Sequence, residues 1–318
     1  MEQNPPIPHE RVAITELTRE SATDLRKHDF FTGSEVLDLG LKHYIFQATN
    51  LIPRATRLVA FDTEEKRAVG FLCLEENTNW LHTIKYVFID PKHRKKGVAT
   101  RLLNHAMKIA AKKGARKVNL NVYPTETRAI ELYIKLGFRK IGRHLLGQGF
   151  MPQSAPTRLI KRVLFGQGPL TKLKRGQNRL FQMQTNSGKS RKRLYDIYRQ
   201  HLDRDWIDFF EIDADNLING SRQVWQPLFF KDVLVNHSVN SFALIFSRPF
   251  SYDATAELYG PSDIVIPSML EDLLNTLANR GISFTKIALF NSSDDVALNW
   301  FEEKGMKTFQ FVSMGKTI

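Results

Sequence analysis

Seven consecutive residues, Arg94-Lys95-Lys96-Gly97-Val98-Ala99-Thr100, carry the most direct chemical signal. An apolar run, Tyr86-Val87-Phe88-Ile89, comes before them and reads as a strand. Asp90-Pro91 ends that strand, because proline cannot continue a ladder. Val98, Leu102, Ala106, Ile109 and Ala110 then recur at helical spacing, and Gly114 supplies a left-handed stop. The first amides of a helix have no internal partner, and its dipole adds partial positive charge there. A strand, a basic turn and a helix start therefore make an anion site. Gly97 and Ala99 carry little side chain, so a phosphate can approach the backbone. Arg94, Lys95 and Lys96 add full charges. From Pro91 to Thr125 there are ten Lys or Arg and no Asp or Glu. The ligand these features predict is phosphorylated.

A second pattern follows at a fixed distance. Val118-Asn119-Leu120-Asn121-Val122 reads as a strand, and Ala129-Ile130-Glu131-Leu132-Tyr133-Ile134-Lys135-Leu136-Gly137-Phe138 as a helix ending in glycine. Together the two resemble the GNAT N-acetyltransferase superfamily. Its acyl-CoA loop reads Arg/Gln-x-x-Gly-x-Gly/Ala, and its later helix reads A-x-x-L-Y-x-K-x-G-F.

The resemblance implies roles. The backbone of Val87, Phe88 and Ile89 is expected to hold pantetheine. The loop from Arg94 through Lys95, Lys96, Gly97, Val98, Ala99 and Thr100 is expected to hold the pyrophosphate of acetyl-CoA, the cosubstrate. Tyr133 is expected to protonate the leaving CoA thiolate, for which a phenol near pKa 10 is a reasonable acid. Tyr133 can also be read as a core aromatic, at helical spacing with Ala129 and Leu136. The family often has Asn three residues before that Ala, where this chain has Glu126. No carboxylate lies between Ile84 and Ile89, so Glu75, Glu76 and Glu126 are the nearest candidate bases by sequence. Each can also be read as a solvated charge. Without a base on that strand, an amine of lower pKa is the better acceptor, an α-amine near 8 rather than a lysine near 10.4.

The chain has 318 residues, 42% of them hydrophobic, enough for two domains. No apolar run approaches eighteen residues, so no membrane span is expected. Met1 to Glu10 has no signal-peptide pattern. The single cysteine, Cys73, excludes an internal disulfide and fits a reducing cytoplasm, and its apolar surroundings suggest a buried inert thiol. The net charge of +13 is uneven: −4 over 1–90, +9 over 91–131, +15 over 132–195 and −7 over 196–318. The acid-free stretch 132–195 can attract RNA or an acidic partner, or can be a solvated connector.

In order, Arg11 to Thr18 reads as a strand and Ser21 starts a helix. His28 to Leu41 loosely resembles the entry helix of GNAT-type toxins that acetylate aminoacyl-tRNA, and reads equally as an ordinary amphipathic helix. Thr56 to Phe61 and Ala68 to Glu75 form a hairpin, and Thr157 to Leu164 closes the first sheet. Residues 1–165 read as an acetyltransferase domain, 166–178 as a basic linker, and 179–318 as a second, degenerate domain that shapes the acceptor pocket or docks a partner. Gly188-Lys189-Ser190 is not a nucleotide loop. The second half repeats the first: Ala297, Phe301, Gly305 and Met306 follow Ala129, Tyr133, Gly137 and Phe138 by 168 residues. Its loop, Pro261 to Pro267, has no Gly and no basic residue, and Phe301 has no proton to give. The second half is thus expected to bind no acyl-CoA.

The fold class expected is α/β, with two tandem GNAT-like domains, each a mixed, mostly antiparallel sheet flanked by helices. Three functions are compatible: acetyl transfer from acetyl-CoA to a primary amine, acetyl transfer to an RNA-linked amine such as aminoacyl-tRNA, and a non-catalytic CoA-binding or scaffold role.

Overall fold

The structure is a computed structural model, and it describes residues 11–17, 55–150, 181–182, 188–215, 217, 230–236, 241–247, 253–259, 266–279, 282, 284–290 and 295–318. The expected helix at Ser21, the 28–41 segment, the strand at 157–164, the linker 166–178 and residues 261–265 lie outside these. The chain forms two compact units that are not contiguous in sequence. One comprises residues 1–121, 127–139 and 314–318; the other comprises 122–126 and 140–313.

In the first unit the strands lie in the order β1 (Val12–Glu16), β2 (Ala55–Asp62), β3 (Arg67–Glu76), β4 (Leu81–Ile89), β5 (Lys117–Val122). The first four are antiparallel to their neighbours, whereas β4 and β5 are parallel. A parallel pair needs a crossover, and helix α1 (Val98–Lys112) supplies it. Its Val98, Leu102, Leu103, Ala106, Met107 and Ala110 are buried, so four residues of the expected stripe face the core, Ile109 is only half-buried, and Leu103 and Met107 join them. Helix α2 (Thr127–Lys135) follows β5.

The second unit repeats this grammar. β8 (Phe230–Asn236), β9 (Ser241–Ser247) and β10 (Asp253–Tyr259) are antiparallel, and β10 is parallel to β11 (Phe284–Phe290). Helices α3 (Gly188–His201) and α4 (Arg204–Phe210) come before β8 in the chain, and β7 (Phe181–Gln182) pairs with it. Helix α5 (Ile266–Asn279) makes the crossover, and helix α6 (Asp295–Glu303) follows β11. Its core gathers Leu270, Leu273, Leu274 and Leu277 of α5 with Ile287, Ala297 and Phe301.

The repeat is legible down to single hydrogen bonds. α2 ends with Gly137 at φ 85°, its amide on Ile134 O at 2.9 Å and that of Phe138 on Tyr133 O at 3.0 Å. α6 ends with Gly305 at φ 73°, its amide on Glu302 O at 2.8 Å and that of Met306 on Phe301 O at 2.8 Å. Both are glycine-terminated helix ends, where the left-handed residue spares a Cβ clash.

The sequence suggests the start of a strand from Phe138 to Gly142, and two strands are longer or newer than such patterns imply. The strand after α2, β6, runs from Arg139 to Phe150 and pairs antiparallel with β11 over residues 144–150 and 284–290. The strand after α6, β12 (Lys307–Thr317), has no expectation from the sequence, and its last residues, 314–318, belong to the first unit. Each unit therefore contains a piece of the strand that follows the other half's last helix.

Candidate active site

The site is built on the carboxyl end of β4. β4 begins at Leu81, three residues earlier than expected, and pairs with β5 only from Leu81 to Ile84. A buried polar bridge fixes that paired end: Asn77 Nδ2 donates to Thr83 Oγ1 at 2.7 Å, which donates to Asn119 Oδ1 at 2.7 Å. Beyond Ile84 the ladder to β5 stops, and among the described residues the half-buried Lys85 to Ile89 keep a strand neighbour only in β3. On that side a bulge intervenes: Phe71 faces Phe88 but Cys73 faces Lys85, so Leu72 of β3 stands against both Tyr86 and Val87 of β4. Tyr86 sits within the bulge at φ 55°. A bulky residue in the left-handed region is strained and is held only by its surroundings. Here Tyr86 and Phe88 lie against Val59, Ala68, Phe71 and Cys73. Burial raises the Tyr86 phenol above its ordinary value. Val87, the first of the three residues expected to hold pantetheine, is the other β4 residue within the bulge.

Arg94 to Thr100 follow. A single 3-10 turn, Pro91 to His93, is capped by Asp90, whose carboxylate accepts the Lys92 amide at 2.8 Å. Arg94 Nε donates to Ile89 O at 3.2 Å, closing the loop onto the end of β4. Lys95 at φ 61° and Gly97 at φ 82° then curl the backbone in the left-handed region. No side chain caps α1, and the first bond of its ladder is Arg101 N to Gly97 O at 3.1 Å. The amides of Val98, Ala99 and Thr100 precede that bond, so they are available to an anion. A Cβ on Gly97 would meet nothing within 4 Å, so its requirement is conformational rather than steric. The loop residues expected from sequence thus lie together at one helix start, directly after the bulged strand.

A polar cluster behind the loop carried no local sequence pattern. Asp62, fully buried at the end of β2, accepts Arg11 Nε at 2.9 Å and the amides of Glu64 and Glu65 at 2.9 and 3.0 Å. His93 Nε2 lies 3.3 Å from Asp62 Oδ2 and 3.2 Å from Glu65 Oε1, and its Nδ1 lies 3.7 Å from Asp90 Oδ2. Arg67 joins Glu65 at 2.7 Å and also pairs with Asp90. Burial pushes Asp62 up, but the Glu65 amide, Arg11 and the Glu64 amide outweigh it and hold the carboxyl below its ordinary value. Asp90 is held low in the same way, burial being outweighed by Arg67 and the Lys92 amide. Asp62, Glu65 and His93 are close enough to share a cation, but Arg11 and Arg67 already bring positive charge to their carboxylates. The cluster ties the β2–β3 turn to the 3-10 turn and so fixes where the anion loop begins. His93 stands 31 residues from Asp62 and Arg11 stands 51 from it, which is why no motif announced the cluster.

Tyr133 is the buried residue of α2, with the ring of Phe138 edge-on at 6.0 Å. Glu126 is exposed, its amide on Tyr123 O at 3.0 Å, and it lies in the 122–126 segment of the other unit. Glu75 and Glu76 form ion pairs with Lys85 and Lys113 respectively. The longer β4 adds one titratable side chain, His82, buried and held below its ordinary value by desolvation. Cys73 is buried and its thiol is pushed up to about 11, an inert group as expected. In the second half, Phe301 is fully buried, and a Cβ on Gly147 would fall 2.6 Å from its ring.

Residues 19–138 match the acetyltransferase (GNAT) family. An 82-residue stretch is 35% identical to an uncharacterized N-acetyltransferase of Methanocaldococcus jannaschii, covering 23% of this chain and 35% of that relative. The fold resembles the crystal structure of a GCN5-related N-acetyltransferase from Sphaerobacter thermophilus, with a TM-score of 0.55 at 12% identity, over 98% of this chain and 97% of the other. A tandem GNAT protein from the clavulanic acid biosynthesis pathway is also similar, with a TM-score of 0.44 at 12% identity, over 96% of this chain and 98% of the other. No helix among the described residues is long and apolar enough to cross a membrane.

Proposed function

We propose that this chain, whose residues 19–138 match the acetyltransferase (GNAT) family, transfers an acetyl group from acetyl-CoA to a primary amine. The observation that carries the reading is the uncapped start of α1, reached through left-handed Lys95 and Gly97, beside a bulged strand whose ladder to β5 has stopped. Pyrophosphate is held by the first amides of α1 and by the charges of Arg94, Lys95 and Lys96. Pantetheine runs along Val87 to Ile89, whose amides also polarise the thioester carbonyl.

The neutral amine attacks the carbonyl carbon, its lone pair forming the C–N bond. The tetrahedral intermediate collapses with cleavage of the C–S bond. Tyr133 gives its phenolic proton to the departing thiolate, the amine nitrogen releases one proton to solvent, and the Tyr133 phenolate takes one back from solvent, which closes the cycle. No acidic residue lies on β4, so the acceptor arrives with a low enough pKa to be neutral, as an α-amine does. The second half binds no acyl-CoA and serves the acceptor or a partner. Exposed Lys189, Lys192 and Arg193 on α3 form a basic face on which an RNA-linked acceptor such as aminoacyl-tRNA would be held, with a steep salt dependence.

Calorimetric titration with acetyl-CoA, beside a Gly97→Glu variant, tests the reading. One site per chain, lost in the variant, supports it; an amine panel including aminoacyl-tRNA then identifies the acceptor class. Two sites would overturn the assignment of the second half. No binding would leave a scaffold role as the better reading.

A further inference from the structure

Helix α2 is only nine residues long, and its carboxyl end is closed by a group from 180 residues away. The turn after α2 uses the amides of Leu136, Gly137 and Phe138 on Leu132 O, Ile134 O and Tyr133 O, at 3.0, 2.9 and 3.0 Å. Leu136 O accepts instead from Lys316 Nζ, at 2.6 Å. An ammonium there meets the negative end of the helix dipole, and a charged donor makes a stronger bond than a neutral one. The lysine stem also covers Gly137: a Cβ at that position would lie 3.5 Å from Lys316 Cε and Nζ.

Two residues further on, the Ile318 amide donates to Arg116 O at 2.9 Å, where β5 is about to begin. Arg116 is itself anchored, since its amide and that of Lys117 share Trp80 O at 2.8 and 2.9 Å. The segment 314–318 is thus bonded just before β5 and just after α2, and Met314 is fully buried. The lysine at this position belongs to the half that keeps its tyrosine. At the position 168 residues before Lys316 stands Gln148, which has no charge to offer a helix end.

We infer that Lys316 is a positioning residue for the Tyr133 helix, so that the acyl-CoA unit is complete only with the segment 314–318 in place. The inference rests on the reading of Tyr133 as the thiolate's acid, and it gives the second half a definite duty: to deliver the strand that orients that acid.

The test uses the full chain with Lys316→Met, which keeps the stem, and Lys316→Arg, which keeps a charged donor. Amide hydrogen exchange at Gly137 and Phe138, followed by NMR, is expected to quicken about tenfold in the Met variant and to recover in the Arg variant, the scale of a charged hydrogen bond. CoA release from acetyl-CoA with the best simple amine is expected to show kcat lowered about tenfold with KM for acetyl-CoA unchanged, again recovered by Arg. On a Tyr133→Phe background the Met substitution is expected to lower kcat no further. Unchanged exchange in the Met variant, no recovery by Arg, or an additive loss on the Phe background would each overturn the inference. If the Met variant does not fold, Lys316→Gln is read by the same criteria. Failure of the wild-type chain to bind acetyl-CoA would overturn the functional reading alone, because the exchange rates still decide the role of Lys316.

Discussion

Tyr133 and Phe301 occupy equivalent turns of two helices that end in the same way, yet their surroundings differ. Phe301 is fully buried in the core with Leu273, Leu277 and Ala297, its ring so close to Gly147 that no Cβ fits between them. Tyr133 stands on a helix whose end is held by a lysine and whose unit carries the anion loop. The comparison teaches that one supersecondary pattern can be kept for its packing alone. A helix that buries Phe301 needs its glycine stop as much as one that carries Tyr133, so the backbone repeat is kept where the side chain differs.

The sharpest test of that contrast is Gly97→Glu, expected to abolish acetyl-CoA binding by calorimetry. It places a carboxylate at the anion site and forces a side chain into φ 82°. Next is the reciprocal pair. Tyr133→Phe is expected to lower kcat about a hundredfold or more, the usual worth of a positioned acid, with acetyl-CoA affinity unchanged. Phe301→Tyr is expected to restore nothing and to cost about 1–3 kcal/mol in urea unfolding, because it buries a hydroxyl without a partner. Gains in turnover from Phe301→Tyr would break the comparison outright.

Gly147→Ala probes the same core from the opposite strand. Its new methyl would meet the Phe301 ring, and an overpacking loss of about 1–3 kcal/mol is expected by urea unfolding. Acetyl-CoA binding is expected to stay intact.

Acid separates the two units. Asp62 and Asp90 have depressed carboxyls, so their contribution is present above the ordinary value of 3.8 and is lost as pH falls through their lower folded values. His144 behaves differently. It stacks on Phe311 at 5.0 Å, lies 3.2 Å from Ser313 Oγ, and is lowered by desolvation to about 4. The unfolded chain takes up that proton near 6.5, so stability falls earlier, as pH drops from 6.5 towards 4. Thermal midpoints measured across pH 3 to 7 are expected to show the early decline removed by His144→Phe and the late one weakened by Asp62→Asn. The smallest effect is at Cys73: native protein at pH 8 is expected to resist alkylation, mass spectrometry showing modification only after unfolding.

Much of this was legible in the sequence, and for local reasons. The helical spacing of Val98, Leu102, Ala106 and Ala110, the glycine stops at 114, 137 and 305, and the basic loop before α1 are short-range patterns that fix dihedrals and charge within one or two turns. The repeat was legible too, because equal helix ends need equal residues at equal spacing. Tertiary structure alone decided three things. The bulge at Tyr86 depends on which residue of β3 faces which residue of β4, and register between strands leaves no mark on either strand by itself. The Asp62–His93–Asp90 cluster depends on a hairpin turn meeting a loop thirty residues later. The clasp of Leu136 by Lys316 depends on a strand far along the chain returning to an early helix. Each is a contact between distant segments, where geometry selects the partner and the residue types, an aspartate, a histidine or a lysine, are too common to announce it.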